Sequence, residues 1–176
     1  MPIPTFDAIH STVLGSNTQS ISFGSLNQSY DHLCITGGFT RSLSGDFGGR
    51  SGDFAWNGIS SGFKFQWFYG SNNNNATASR GTSGGSGPNV PAGNINDQGG
   101  RQAFEIWIPN YRSTKYHKHA LMKQGNNDTA ANNGGFVGFS DNLIPTTSAL
   151  TSLVISQITD SFVTGDWVTI YGVKNA

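Results

Sequence analysis

Charged residues are scarce in this sequence. Ten basic residues balance ten acidic ones among 176, and charged residues make up only 11% of the chain. Without net charge there is no strong field to draw in a polyanion. We therefore expect neither nucleic acid nor an anionic membrane as a partner, and we expect solubility to come from neutral Ser, Thr, Asn and Gly residues.

Cysteine is nearly absent as well. Cys34 is the only one, which excludes an internal disulfide and a disulfide-stapled secreted scaffold. Its flanks, HLCITG, predict a small buried apolar residue rather than a nucleophile. The start of the sequence lacks the basic and apolar regions of a signal peptide, and no run approaches the roughly 18–20 apolar residues that span a bilayer. We expect synthesis in a cytoplasm and no membrane span.

Carboxylates that could act in pairs are few. Glu105 is the only glutamate, and the aspartates are spread over the chain, so acid–base pairs are hard to assemble. The stretch 81–85 (GTSGG) formally matches the G-x-S-x-G nucleophile motif, but it lies in a Gly/Ser/Asn tract with no strand-to-helix turn. We predict that the chain is not an enzyme, with no catalytic residue and no cofactor.

Metal ligands are equally sparse. His117 and His119 are two residues apart and would face the same way on a strand, as paired imidazole ligands do. His10 and His32 are the only other histidines, and no motif adds them to the pair. The stretch 94–99 (NINDQG) resembles part of a calcium loop but lacks its closing glutamate. We expect no metal site, although the sequence leaves one at His117 and His119 open.

The residues that are abundant are typical of β structure. The chain has 24 Gly, 12 Phe, 4 Trp and 5 Tyr, which favour turns and strands, and helical periodicity is missing. Strands are predicted at 9–14, 19–24, 29–37, 52–57, 62–69, 102–108, 115–122, 135–140, 150–158 and 166–173. Their spacing predicts an all-β chain folded as an antiparallel sandwich or a barrel, in a single domain over 1–176.

Turn chemistry separates several of these strands. Asn57-Gly58 and Asn133-Gly134-Gly135 can take the positive φ that a tight hairpin requires. Each segment directly precedes a run rich in aromatic residues. We therefore predict tight turns at both places.

The closing stretch 166–173 (DWVTIYGV) is unusually apolar for the end of a sequence. Alternation places Val168 and Ile170 on the core side of a strand and Tyr171 on the other side. Gly172 predicts a bulge or a close approach to the backbone. We expect an integral strand that lies away from the edge of the fold.

Two segments are predicted to lie outside the strands. Residues 70–101 contain almost no apolar side chain and cannot bury enough surface to fold alone. We predict an extended loop there, either floppy or ordered on a neighbouring subunit. The prolines of MPIPTF suit an extended N-terminal arm over 1–8.

Two groups of side chains are candidates for partner contacts. The stretch 111–123 carries four basic residues and no acidic one, which indicates a solvated face or a match to an acidic partner surface, with nucleic acid as the less favoured alternative. The aromatic residues are predicted to fill the core or a subunit interface, and a sugar-stacking platform is the alternative. The candidate glycan-stacking residues are Trp56, Trp67, Trp107 and Tyr111.

Three short segments resemble small β-sandwich structural proteins of tailed bacteriophages. They are the closing stretch with Phe162, Gly165 and VTIYGV (168–173), the segment 23–42 with its Y-D-H-L strand, and 108–118 with its I-P-N-Y turn. The resemblance covers most of the chain apart from 70–101 and the first few residues, and the asparagine-glycine stretch of the family is met only loosely by AWNGIS. It implies a jelly-roll-like fold and a virion component.

The resemblance further implies a capsid decoration (cement) protein that binds and stabilises the icosahedral head shell. Its partners would be the major capsid protein and copies of itself, for example as a trimer, and it would be assembled into the virion in the bacterial cytoplasm. One alternative is a tail, fibre or spike component with a lectin-like receptor-binding role, the case in which a glycan is a partner; a cellular carbohydrate-binding module is another. The candidate interface residues are Pro2, Ile3, Pro4, Phe6, Asn73, Asn75, Arg80, Asn94, Arg101, Tyr111, Arg112, Lys115 and Lys118.

Overall fold

The secondary structure consists of β-strands. The computed structural model describes residues 5–40, 53–59, 61–71, 76–83, 101–127, 136–156 and 161–175, and within these ranges there are eleven strands and no helix. The strands are β1 Thr5–Val13, β2 Ser20–Phe23, β3 His32–Thr40, β4 Asp53–Trp56, β5 Phe63–Ser71, β6 Ala76–Ser83, β7 Arg101–Ile108, β8 Lys118–Asn127, β9 Phe136–Ile144, β10 Leu153–Ser156 and β11 Trp167–Lys174. The prediction of an all-β chain is confirmed.

The strands form two antiparallel sheets. The larger sheet has eight strands in the order β1-β11-β3-β7-β8-β9-β5-β6, and the smaller has three in the order β2-β10-β4. Their facing side chains share one hydrophobic core, in which the rings of Phe54 on β4 and Phe104 on β7 meet edge to face with centroids 5.7 Å apart. This two-layer arrangement confirms the predicted antiparallel β-sandwich.

Strand β11 lies inside the large sheet, between β1 and β3. Val168 and Ile170 are fully buried in the core, while Tyr171 lies on the opposite side of the sheet. A Cβ at Gly172 would lie 2.4 Å from the ring of Tyr30, so this position needs glycine because an aromatic ring packs directly on its backbone. The integral strand and the close approach predicted for this stretch are both confirmed.

Two predicted non-strand segments contain strands. Ala76–Ser83 pairs along its whole length with β5 as an edge strand of the large sheet. The prediction of an unbroken loop over 70–101 is therefore wrong over 76–83, because an edge strand can take its pairing from one neighbour without burying apolar side chains. The strand Thr5–Val13 likewise replaces the last part of the predicted arm 1–8, since Phe6 stacks on Tyr171 at 4.6 Å between ring centroids. Residues 1–4 and 84–100 lie outside the described residues.

The turn at Asn57-Gly58 has the predicted backbone but a different role. Both residues have positive φ, 50° and 72°, and Ile59 N–H donates to the Trp56 carbonyl at 2.8 Å. The flanking strands do not pair with each other, because β4 belongs to the small sheet and β5 to the large one. The turn is a corner between sheets rather than a hairpin. Asn133-Gly134-Gly135 lies outside the described residues.

Cys34 is buried, as predicted. It is 1% exposed and lies on β3, in register between Tyr171 and Trp107. Burial raises the pKa of its thiol to about 11. At neutral pH the side chain is therefore a protonated, inaccessible thiol, which is a poor nucleophile.

Candidate functional site

The positions proposed as interface residues do not share one region of the described structure. Phe6 and Arg80 lie on the two edge strands of the large sheet, and Arg101 is the first residue of β7. Tyr111, Arg112 and Lys115 belong to the connection between β7 and β8, and Lys118 is the first residue of β8. The remaining candidates lie outside the described residues; they are Pro2, Ile3, Pro4, Asn73, Asn75 and Asn94.

The segments 30–33, 108–112 and 171–175 meet at one end of the sandwich; we call this the motif junction, because 30–33, 108–112 and 171–173 belong to the resembling segments. Asp31 Oδ1 accepts a hydrogen bond from Arg112 Nη2 at 2.6 Å, and Asp31 Oδ2 accepts one from the backbone N–H of Asn175 at 3.0 Å. His32 Nδ1 accepts from the backbone N–H of Asn110 at 3.0 Å. The three segments therefore hold one another in place.

Asp31 makes the motif junction sensitive to acid. The backbone N–H of Asn175 and the Arg112 guanidinium hold the pKa of the Asp31 carboxyl below its ordinary value of 3.8. Because the unfolded chain then binds this proton more readily than the folded one, folding stability is lost as the pH falls through 3.8 towards the lower folded value. We expect thermal denaturation at pH 3–5 to show a smaller drop in Tm for Asp31→Asn than for the native chain.

The matched control for this measurement is Asp141→Asn. Asp141 pairs with His119 at 3.0 Å on β9, outside the motif junction, so its replacement should leave the Asp31 contacts, and the acid sensitivity that they cause, in place. An Asp31→Asn variant with the native acid dependence would show that the junction does not depend on this carboxylate.

Lys118 is a buried cation rather than part of a basic surface. Its Nζ donates to the backbone carbonyls of Ser113 at 2.5 Å, Tyr116 at 3.1 Å, and Thr147 and Ser148, both at 2.8 Å. The side chain is 2% exposed, and desolvation lowers the pKa of the ammonium. It joins the β7–β8 connection to the β9–β10 connection, and its burial removes it from the candidate contact surface.

Tyr111 is also buried. Its hydroxyl donates a short hydrogen bond to the Asn27 carbonyl, and its own carbonyl accepts from Leu150 N–H at 2.9 Å. Burial raises the pKa of this phenol. Arg112 and Lys115 remain exposed, so of the basic candidates in this connection these two stay on the surface.

The aromatic residues proposed for glycan stacking do not form one platform. Trp56 and Tyr111 are fully buried and have no ring face open to a sugar. Trp67 lies on the core side of β5, opposite Ser140. Trp107 is half-buried on the other side of the sheet, where its Nε1 donates to Glu105 at 2.9 Å and its ring tilts against Phe6.

His117 and His119 do not converge with other possible metal ligands in the described part of the chain. His119 lies on β8 with Nδ1 3.0 Å from a carboxylate oxygen of Asp141, whereas His117 belongs to the turn before the strand. Among the described residues, no three His, Cys, Asp or Glu side chains gather where they could hold a metal ion.

The side of the large sheet that faces away from the core, called the outer face below, is unusually apolar. The strand registers place seven large apolar side chains there, each 39–68% exposed, out of eight such side chains in the described chain. They are Phe6, Val13, Phe68, Leu121, Val137, Phe139 and Trp167. Exposed apolar area of this extent on one surface is typical of a binding face.

One corner of the outer face is polar. A shallow depression of about 580 Å³ is lined there by Lys64, Gln66, Arg80, His119, Asp141 and Leu143, together with Phe65 and Gly81. Lys64 and Arg80 carry positive charge next to the His119–Asp141 pair. Alternation along a single strand cannot show that most exposed apolar side chains share one side of the sheet, since this depends on strand pairing.

Comparison of the chain with protein families, with curated proteins and with solved structures finds no match in any of the three. None of the described residues forms a helix with the length and apolarity that crossing a bilayer requires.

Proposed function

We propose that this chain is a structural protein of a tailed-bacteriophage virion, a decoration protein that binds and stabilises the icosahedral head shell. The motif junction carries the proposal. Segments separated by up to about 140 residues interlock through Asp31, His32 and Arg112. The backbone N–H of Asp31 donates to the Val173 carbonyl at 2.9 Å, so each of the three segments contains part of the resemblance. Their likeness to the phage proteins therefore falls on one connected structural unit rather than on scattered short matches.

Two surfaces support a role in assembly. The outer face exposes seven large apolar side chains, and such a patch is typical of a contact between protein subunits. Arg112 and Lys115 are exposed on the β7–β8 connection, two of whose backbone carbonyls accept hydrogen bonds from the buried Lys118. Such a basic connection can set the register of a contact with an acidic patch on the shell.

The proposal is tested by locating the protein on particles. Gold-labelled antibodies against the purified chain should decorate the heads of intact virions and leave the tails bare. Labelling confined to the tail or its tip would contradict a decoration role and favour the receptor-binding alternative. Particles that contain no copy of the chain would contradict a virion role altogether.

A further inference from the structure

We propose that the outer face binds a second copy of this chain, face to face, in a two-fold symmetric dimer. The inference rests on the proposed function only in treating the chain as a subunit of an assembly.

The outer face has the size that a stable dimer needs. Eight strands spaced about 4.8 Å apart make a sheet about 34 Å wide, and strands of eight to ten residues are about 27 Å long. The face therefore offers about 900 Å², close to the roughly 800 Å² that each partner buries in a standard interface. A neutral chain also meets no net repulsion from its own copy.

The face has a trough on one half. Thr36 on β3 and Thr169 on β11 are direct neighbours in the sheet and are small, with Thr169 almost buried. Trp167 lies two positions before Thr169 on β11, and Tyr171 lies two positions after it. Trp107 on β7 belongs to the same cross-strand row as Tyr171. Two short side chains thus lie between larger aromatic ones.

The other half has a matching ridge. Phe139 on β9 and Phe68 on β5 are direct neighbours, and each is more than half exposed. They belong to the same row across the sheet as the threonines, because Thr36 pairs with Glu105, Glu105 with Lys123, and Lys123 with Phe139. The trough and the ridge therefore lie in the same cross-strand row of the sheet, on opposite sides of the Glu105–Lys123 pair.

A two-fold axis that runs parallel to the strands between β7 and β8 brings these features together. It places β9 of one copy over β3 of the other and β5 over β11, so that Phe139 and Phe68 meet Thr36 and Thr169 in the trough. It also places Glu105 over Lys123 of the second copy. These two charges are already 3.2 Å apart within one chain, and the dimer would join two such pairs into a ring of four alternating charges.

The dimer is tested on the purified full chain by light scattering after gel filtration, over a micromolar concentration range. We expect twice the mass of one chain, and we expect Phe139→Asp to weaken the dimer by about 30-fold or more, because a charge at the centre of a buried patch acts at a hot spot. Tyr116→Asp is the matched control. Tyr116 is 72% exposed but lies in the turn before β8, off the outer face, so this variant should stay dimeric.

Charge exchange tests the axis itself. Lys123→Glu should weaken the dimer by placing four carboxylates together, and adding Glu105→Lys to the same chain should restore it. Circular dichroism checks that each variant is folded. A monomeric native chain, a trimer, a dimer unaffected by Phe139→Asp, or a dimer indifferent to Lys123→Glu would each overturn the inference. None of these results bears on where the protein lies on a particle, so the dimer and the proposed function can fail separately.

Discussion

Removal of residues 166–176 should abolish cooperative folding. The deletion takes β11 from the interior of the large sheet, separates β1 from β3 and removes the buried side chains of Val168 and Ile170. Each such side chain contributes about 1.5–3 kcal/mol, and the pairing of two neighbouring strands is lost as well. Together these losses are comparable to the roughly 5–15 kcal/mol of stability that a whole domain has.

The measurement is thermal unfolding followed by near-ultraviolet circular dichroism. A truncation of residues 175–176 is the control, because it removes the Asn175 contacts with Asp31 and His32 but leaves β11 intact. The control should melt cooperatively at a lower temperature than the full chain. A soluble 166–176 deletion with a cooperative transition would show that β11 is a docked tail rather than an essential strand.

Replacing Lys118 by methionine should lower the free energy of unfolding by about 3–5 kcal/mol, because it leaves four carbonyl acceptors without their shared donor. Methionine matches the length of the aliphatic stem, so packing is largely kept and the loss reports on the ammonium group. The measurement is urea denaturation at equilibrium.

Lys115→Met provides the control for Lys118. Lys115 is an exposed lysine in the same connection, and its replacement should change the stability by no more than about 0.5 kcal/mol. Equal effects of the two substitutions would mean that the buried ammonium does not hold the two connections together.

Much of the fold could be predicted because its signals are local. Val168 and Ile170 alternate with outward-facing residues, and Asn57-Gly58 has the sequence of a positive-φ turn; both signals depend on a few neighbouring residues. The strand Ala76–Ser83 escaped prediction because an edge strand draws its hydrogen bonds from β5 and needs no apolar alternation of its own. The change of sheet at Asn57 could not be predicted either, because it depends on the pairing of β4 with β10, which lies about 100 positions further along the chain.

The candidate site was harder to predict because burial and facing depend on distant residues. Lys118 looks like part of a basic stretch, but the carbonyls of Thr147 and Ser148, about thirty positions away, enclose it. Trp56 and Tyr111 are residue types that stack on sugars, but both side chains are buried and cannot reach one. The outer face could not be recognised from single strands, because its exposed apolar side chains come from five strands whose positions in the sheet depend on long-range pairing.

The interior position of β11 also controls when the protein can assemble during synthesis. Strands β1 and β3 are made first, but they are joined only through residues 167–174, so a growing chain on the ribosome holds both edges open until the last strand emerges. The threonine trough needs Thr169 from that strand. A nascent chain that lacks this strand therefore cannot display a complete outer face, and the dimer proposed above cannot form until the strand has left the ribosome.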